Sequence, residues 1–187
     1  MDTANRTRDE WLALRCQSGE PAAFEDLVAI MERPLLYYAI KLLRDQETAL
    51  DVLQDVWLKA FRAIRKLNDP ASLRPWLYRL THGLAIDRLR GTIARERAEE
   101  AALDSFDESA ANTSFTADDA DAVHEALDQL ELPHREVLVL HFLEDFSVTE
   151  IAQVINCPEG TVKSRIHYAK RALKEVLGRG GYGPEAR

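Results

Sequence analysis

The sequence predicts an all-α protein in which two small helical domains are joined by an acidic, flexible linker. Apolar residues recur at helical spacing along most of the chain, and no stretch shows the alternation of a half-buried strand. This periodicity is lost over residues 95–117, which are acidic, rich in Ser and Thr, and poor in large apolar residues. We therefore expect an N-terminal domain over residues 1–94, a linker over 95–117, a C-terminal domain over 118–178 and a tail over 179–187.

The N-terminal domain is expected to contain four helices. A short helix over 8–16 is followed by one that starts near Pro21, is split or kinked at Pro34 and resumes to Leu43. Asp45 is placed to cap a third helix over 46–66. The segment LNDPAS, residues 67–72, has the composition of a loop, and Ser72 is placed to cap a fourth helix that ends near residue 94.

The C-terminal domain is expected to contain four shorter helices. The first carries an apolar stripe from Ala122 to Leu130, and the second begins at Pro133. Ser147 and Glu150 have the spacing of a capping box, which starts a third helix. The turn NCPEG then leads into a last helix that runs to about residue 177, so the final pair has the helix-turn-helix arrangement.

The composition excludes several classes of protein. With 46% hydrophobic residues and only 8 Gly and 7 Pro, the chain can build cores and is neither collagen-like nor Pro-rich. No apolar run approaches membrane-spanning length and the first residues do not resemble a secretory leader, so we expect no membrane insertion and a cytoplasmic location.

No enzymatic chemistry is predicted. Cys16 and Cys157 are far apart and form no C-x-x-C pair, so both are interpreted as packing residues. His134 and His141 share a helix face but lack further ligands at metal-binding spacing. Since no phosphate loop or nucleophile motif is present either, we expect no catalytic residue, no metal and no cofactor.

The net charge of −8 hides two basic patches. Residues 92–122 hold 9 acidic and 2 basic side chains, whereas residues 57–91 hold 8 basic and 2 acidic ones. Residues 159–179 hold 6 basic and 2 acidic side chains. Local charge determines what a face attracts, so both patches are candidates for binding nucleic acid.

The last helix is the first candidate, as a reader of duplex DNA. Val162 and Ile166 face the core, which leaves the polar residues of the N-terminal half outward, where a recognition helix meets the major groove. These residues are Thr161, Lys163, Ser164, Arg165 and His167. Lys170 and Arg171 lie a turn later and suit phosphates. The alternative is a solvated basic face on an ordinary helix.

The second candidate is the patch SLRPWLYRLTHGLAIDRLR, residues 72–90, which mixes arginines with aromatic residues. Such a mixture can hold single strands, because unstacked bases pack on aromatic rings. The alternative places Trp76 in the core and Arg79 at the surface. On the preceding helix, Asp51, Gln54 and Asp55 form a polar edge that the bare sequence favours as a solvated face.

Three segments resemble the two sequence blocks typical of bacterial sigma factors, and the short chain resembles the extracytoplasmic-function (ECF) group. They are DVLQDVWLKAFRAI (51–64), RPWLYRLTHGLAIDRLR (74–90) and LPHREVLVLHFLEDFSVTEIAQVINCPEGTVKSRIHYAKRAL (132–173). The resemblance covers most of residues 10–177. Two positions depart from it: Gly83 stands where many relatives have Asn, and Tyr168 where many have Arg.

The resemblance implies a protein that binds core RNA polymerase and directs promoter recognition, melting and transcription initiation. It implies that Asp51, Gln54 and Asp55 contact core polymerase and that an anti-sigma factor is a partner. The implied contacts with the −10 element, as single-stranded DNA, are those of the loop at Asn68 and Ser72 and of Trp76, Tyr78, Arg79 and Arg88. The implied contacts with the −35 element are those of the last helix.

Two other interpretations remain open at the level of the sequence. One is a polymerase-independent helix-turn-helix regulator with an N-terminal dimerisation or sensing module, which would bind duplex DNA unaided. The other is a helical adaptor that binds only proteins, which would show no salt-dependent binding to DNA.

Overall fold

The structure is a computed structural model that describes the backbone of residues 3–100 and 119–179 and the side chains of residues 6–94 and 122–178. Within these ranges every regular element is helical, which confirms the predicted all-α class. The α-helices there are α1 (Thr3–Gln17), α2 (Pro21–Leu43), α3 (Gln46–Ala63), α4 (Leu73–Glu100), α5 (Asp119–Asp128), α6 (Leu132–Leu138), α7 (Val148–Val154) and α8 (Glu159–Arg179).

The described residues cover only part of the predicted linker and tail. Helix α4 continues to Glu100, six residues beyond the end that the sequence predicted. The rest of the predicted linker, 101–117, and residues 180–187 of the predicted tail lie outside the described residues.

Helix α2 is continuous through Pro34, so of the two predicted outcomes, a split or a kink, the split is wrong. Met31, Leu35 and Tyr38 lie on one face of α2 and are buried on both sides of the proline. Proline removes one backbone hydrogen bond from a helix interior. The apolar surface buried along this face outweighs that local cost, so the helix continues to Leu43.

Two of the three helix caps predicted from the sequence are present in the structure. The Asp45 carboxylate accepts from the backbone N–H of Thr48 at 2.7 Å, and Ser147 and Glu150 form the predicted capping box. Ser72 was expected to cap α4. Its hydroxyl instead donates to the Asp69 carboxylate at 2.5 Å, and that carboxylate also accepts from the N–H of Ala71.

The N-terminal core is formed where α2, α3 and α4 pack against one another. Leu27, Tyr38, Val56 and Leu77 are fully buried in this core. The inward residues of α3 repeat every three or four positions, as the apolar stripe of the sequence predicted. The core therefore holds α3 and α4 side by side, with the outer face of α3 exposed.

The C-terminal domain is the predicted helix-turn-helix, preceded by α6 and a π-helical turn over Val139–Leu143. Ile151 of α7 and Val162 and Ile166 of α8 are buried together with Phe146. Helix α7 ends where Asn156 adopts a left-handed conformation (φ 51°), which Asn tolerates better than most residues. This turn redirects the chain so that α8 presents its basic face outward.

A polar seam joins the two domains, formed by side chains of α2 and α4 on one side and of α5, α6 and the turn before α7 on the other. Its ion pairs are Lys41–Asp128 at 2.5 Å, Arg74–Glu144 at 2.7 Å and His82–Glu136 at 3.2 Å. The hydroxyl of Tyr78 also donates to Glu144. Burial and the charge of Glu144 raise the pKa of Tyr78, so its hydroxyl stays protonated as a donor.

Arg135 fixes the end of α2 against the connection between α5 and α6. Its buried guanidinium donates to the carbonyl of Lys41 and to that of Leu130, the latter at 2.9 Å. Burial, and then the charge of Arg44, lower the pKa of Arg135 to about 10. It therefore remains charged at neutral pH and donates to backbone carbonyls at this junction, where the Leu130 carbonyl also accepts from Arg44 at 3.0 Å.

Two neighbouring tyrosines, with their rings tilted by 43°, allow the hydrogen bonds of this region to be tested. Tyr38 and Tyr78 are both fully buried, with ring centroids 5.3 Å apart. Among the described residues the Tyr38 hydroxyl has no hydrogen-bond partner, whereas that of Tyr78 donates to Glu144. We expect Tyr38→Phe to raise the free energy of unfolding by about 1 kcal/mol, because it removes an unsatisfied buried hydroxyl.

The matched variant Tyr78→Phe should lower the free energy of unfolding by about 1.5–3 kcal/mol, because it removes a hydrogen bond to a buried carboxylate. Urea denaturation of both variants and the parent chain measures the difference. A loss of stability in Tyr38→Phe as large as that in Tyr78→Phe would contradict the assigned hydrogen bonds.

Candidate nucleic-acid and polymerase interfaces

Helix α8 presents the basic face that the sequence predicted. Val162, Ile166 and Ala169 are buried against the domain, and Lys163, Ser164 and His167 are exposed. Thr161 is half-buried at the start of the helix, and its carbonyl accepts from the Ser164 hydroxyl at 3.0 Å. The N-terminal half of α8 therefore offers a set of polar side chains that can enter a groove of duplex DNA.

Arg165 differs from its neighbours on α8. Its guanidinium lies 3.0 Å from Oε1 of Glu136, a carboxylate on α6 whose side chain is only 6% exposed. Removing one partner of a buried ion pair costs about 3–5 kcal/mol, whereas a bidentate contact of Arg with guanine contributes about 1–3 kcal/mol. Breaking the pair with Glu136 would therefore cost more free energy than a contact between this guanidinium and guanine would return.

The later turns of α8 add two exposed cations and an aromatic contact. Lys170 and Arg171 are exposed, and the ammonium of Lys170 lies 4.9 Å from the ring centroid of Phe142. Tyr168, which departs from the family pattern, is 55% exposed and packs edge-on against His167. These side chains extend the basic face toward the phosphates that flank a bound groove.

A cavity of about 500 Å³ opens at the loop between α3 and α4. Its walls include four residues that the resemblance assigned to single-stranded DNA, together with two that the sequence did not single out. The four are Asn68, Ser72, Trp76 and Arg79, and the two are Lys66 and Gln153. The volume lies within the range of about 300–1,000 Å³ found for ligand pockets.

Two other residues assigned to single-stranded DNA lie away from this cavity. Tyr78 is fully buried and its hydroxyl is bound to Glu144, so its ring belongs to the core. Arg88 is exposed more than two turns further along α4 and lies 3.4 Å from the Asp51 carboxylate of α3. The structure therefore brings together Asn68, Ser72, Trp76 and Arg79 but places Tyr78 and Arg88 elsewhere.

The outer face of α3 carries the predicted polar edge and an apolar component that sequence analysis missed. Asp51, Gln54 and Asp55 are exposed, as are the neighbouring Leu50 and Leu58. Both leucines are out of phase with the buried stripe of α3, and that mismatch was the signal available in the sequence. Apolar residues framed by charges are typical of protein–protein interfaces rather than of a solvated face.

Both cysteines have environments that suppress thiolate formation. Cys16 is buried in the N-terminal core and Cys157 is half-buried in the helix-turn-helix turn. Burial raises the pKa of each thiol above its ordinary value. Within the described residues, no group of three or more His, Cys, Asp or Glu side chains is arranged to hold a metal ion.

Comparison with known proteins places the chain in a family. Residues 27–93 match the family model described as Sigma-70 region 2, and residues 120–173 match the one described as Sigma-70, region 4. The chain is 31% identical over 184 residues to the RNA polymerase sigma-H factor of Pseudomonas aeruginosa, an alignment that covers 91% of this chain and 94% of that protein.

A second relative decides the group. The ECF RNA polymerase sigma factor SigL of Mycobacterium tuberculosis is 32% identical over 163 residues, with 83% of this chain and 87% of that protein covered. The chain belongs to the ECF group of RNA polymerase sigma factors. Sigma factors are regulatory, non-catalytic proteins, and this membership favours promoter recognition with RNA polymerase over a polymerase-independent regulator.

Solved structures show the same fold as this ECF sigma factor. CnrH in complex with the cytosolic domain of CnrY has a TM-score of 0.65 at 27% identity, covering 91% of this chain and 97% of that one. The sigma factor RpoE in complex with the anti-sigma factor NepR from Bartonella quintana has a TM-score of 0.67 at 24% identity, covering 83% and 96%. In the described part of the sigma factor, no helix is long and apolar enough to cross a membrane.

The raised pKa of Cys157 can be tested through the rate at which its thiol is alkylated. In the Cys16→Ser variant, which leaves Cys157 as the only thiol, the rate of alkylation by iodoacetamide should rise with pH to a midpoint above that of free cysteine. A raised pKa leaves less thiolate at a given pH, so alkylation near neutral pH should be slower than for the free amino acid. The same variant unfolded in urea is the control, and a folded-state midpoint below that of free cysteine would contradict the assignment.

Proposed function

We propose that this ECF sigma factor uses three separate surfaces to start transcription. The outer face of α3, at Asp51, Gln54 and Asp55, binds core RNA polymerase. The cavity between α3 and α4 holds an unpaired base of the −10 element, and the exposed face of α8 reads the −35 element in duplex form. The cavity is the observation that best supports the proposal, because a regulator that binds only duplex DNA does not need a pocket for an unpaired base.

The cavity has the chemistry needed for a single-stranded base. Asn68 and Ser72 offer hydrogen-bonding groups to a base edge, Trp76 offers an aromatic wall, and Lys66 and Arg79 are exposed cations at the rim. Withdrawing a base from the duplex costs a few kcal/mol, which such contacts offset. Arg88 is exposed beside Asp51 of α3, away from the cavity, and serves as a phosphate contact elsewhere on the DNA.

On α8 the proposed contacts with the −35 element divide by position. Thr161, Lys163, Ser164 and His167 lie at the N-terminal half, where a recognition helix meets base edges. Lys170 and Arg171 lie further along and contact phosphates. The two domains, with the boundaries predicted from the sequence, thus divide the work between duplex and single-stranded DNA.

The closed packing of the two domains must open for both elements to be bound together. Gln153 of α7 lines the cavity of the N-terminal domain, so in the closed arrangement the two DNA surfaces belong to one compact body. The −35 and −10 elements are separated by roughly 25 base pairs, or about 85 Å at 3.4 Å per base pair. Promoter binding therefore requires the polar seam to separate while the linker keeps the domains tethered.

An anti-sigma factor is the proposed regulatory partner. The solved relative from Bartonella quintana is bound to one, and a protein that holds the seam closed would keep this chain from the promoter. Because its proposed partners are polymerase and DNA, we place the chain in the cytoplasm.

The polymerase surface can be tested by charge reversal. Asp55→Lys should weaken binding to core RNA polymerase at least about tenfold, because a like charge juxtaposed at an interface costs several kcal/mol. Glu25→Lys makes the same change at an exposed position on α2 and should leave binding nearly unaffected. Fluorescence anisotropy of labelled chain titrated with core polymerase measures the affinity.

Run-off transcription with the same proteins completes this test. The parent chain and Glu25→Lys should support initiation with core polymerase, and Asp55→Lys should not. Equal loss in both variants would show that overall charge rather than the α3 face matters. Sequence-specific duplex binding without polymerase, combined with failure to support initiation, would contradict the proposed function.

A further inference from the structure

We infer that Arg165 positions the recognition helix through Glu136 and does not itself read a base of the −35 element. The inference rests on the proposed function of α8 as the duplex reader and assigns a different role to one of its predicted contacts. It follows from how Glu136 is placed and from which of its two oxygens each partner uses.

Glu136 is the buried acid of the C-terminal domain that touches α8. Its side chain is 6% exposed, on α6 between the recognition helix and the N-terminal domain. Oε1 accepts from the Arg165 guanidinium at 3.0 Å, and Oε2 lies 3.2 Å from Nε2 of His82. A carboxylate so deeply buried needs these partners to remain in place.

The two partners of Glu136 belong to different domains. His82 belongs to α4 of the N-terminal domain and is withdrawn from Oε2 when the domains separate. Arg165 lies in the same domain as Glu136 and keeps its bond to Oε1 in either arrangement. Separation withdraws His82 and exposes that side of Glu136 to water, and among the described contacts Arg165 then remains the charged partner of this acid.

The neighbours of Arg165 on α8 are not held in this way. Lys163 and His167 are exposed and form no ion pair with the described residues, and Ser164 is exposed with its hydroxyl on the carbonyl of Thr161. These three side chains can turn toward a groove at no cost to the fold. Arg165 holds α8 against α6 through Glu136, which limits how far the three readers move relative to the rest of the domain.

The test uses holoenzyme formed from core polymerase and the full chain, with duplexes randomised across the −35 region upstream of a fixed −10 region. Sequencing of the bound duplexes gives the base preference at each position, and titration gives the affinity. The variants are Arg165→Ala, Arg165→Lys, Glu136→Gln and the double variant Arg165→Ala with Glu136→Gln. The matched reader variants are Lys163→Ala, Ser164→Ala and His167→Ala.

A positioning role predicts that Arg165→Ala and Glu136→Gln each lower affinity by about tenfold, because either change leaves the other group unpaired. The set of preferred base pairs should stay that of the parent chain, and the double variant should bind no worse than Arg165→Ala, since coupled residues are not additive. Lys163→Ala should instead lose preference at particular base pairs.

Arg165→Lys separates the two roles even where Arg165→Ala folds poorly. Lysine keeps the positive charge beside Glu136 and should restore affinity, but it cannot reproduce bidentate contacts with guanine. Loss of preference at one base pair in Arg165→Lys, with the preference retained in Glu136→Gln, would overturn the inference. Preferences unchanged by Lys163→Ala, Ser164→Ala and His167→Ala alike would instead overturn the proposed role of α8.

Discussion

The arrangement of this molecule depends on the pairing of one buried carboxylate, Glu144. Its side chain is 7% exposed, and it accepts from Arg74 and from Tyr78, both on α4. A charged group at this depth would cost several kcal/mol without such donors. Because Glu144 lies just ahead of α7, satisfying it fixes the helix-turn-helix against α4 and brings Gln153 to the wall of the cavity.

The seam also explains why the count of basic residues overstates the charge that is free for nucleic acid. Arg74 of the N-terminal basic patch forms an ion pair with Glu144, and Arg165 of the C-terminal patch forms one with Glu136. The exposed cations that remain include Lys66 and Arg79 at the cavity and Lys163, Lys170 and Arg171 on α8. Charge that neutralises a buried acid stabilises the fold, whereas the exposed remainder sets the field that DNA meets.

Sequence periodicity predicted the helices and the exposed face of α8 because amphipathic patterns and caps are local properties. The capping box at Ser147 and the cap at Asp45 needed only residues three positions away. Whether α2 splits or continues at Pro34 was left open because the answer depends on the surface that α2 buries against α3 and α4.

The cavity shows where sequence adjacency misleads. Trp76, Tyr78 and Arg79 are close in sequence, but at 3.6 residues per turn Trp76 and Arg79 share a face while Tyr78 points away. The carboxylate that accepts the hydrogen bond of Tyr78 lies 66 positions further along the chain, and Gln153 of the cavity wall belongs to the other domain. Contacts between distant residues leave no periodic signal, so neither was predictable from one sequence.

The polar seam holds the two DNA surfaces together in the free chain, and promoter binding uses them apart. Pulsed electron paramagnetic resonance can measure this directly, with spin labels at Arg33→Cys on α2 and Lys174→Cys on α8 and with Cys16 and Cys157 replaced by Ser. We predict one short distance in the free chain and an increase of tens of ångströms, on the scale of the roughly 85 Å between the elements, in the polymerase–promoter complex. An unchanged distance in that complex would contradict the account.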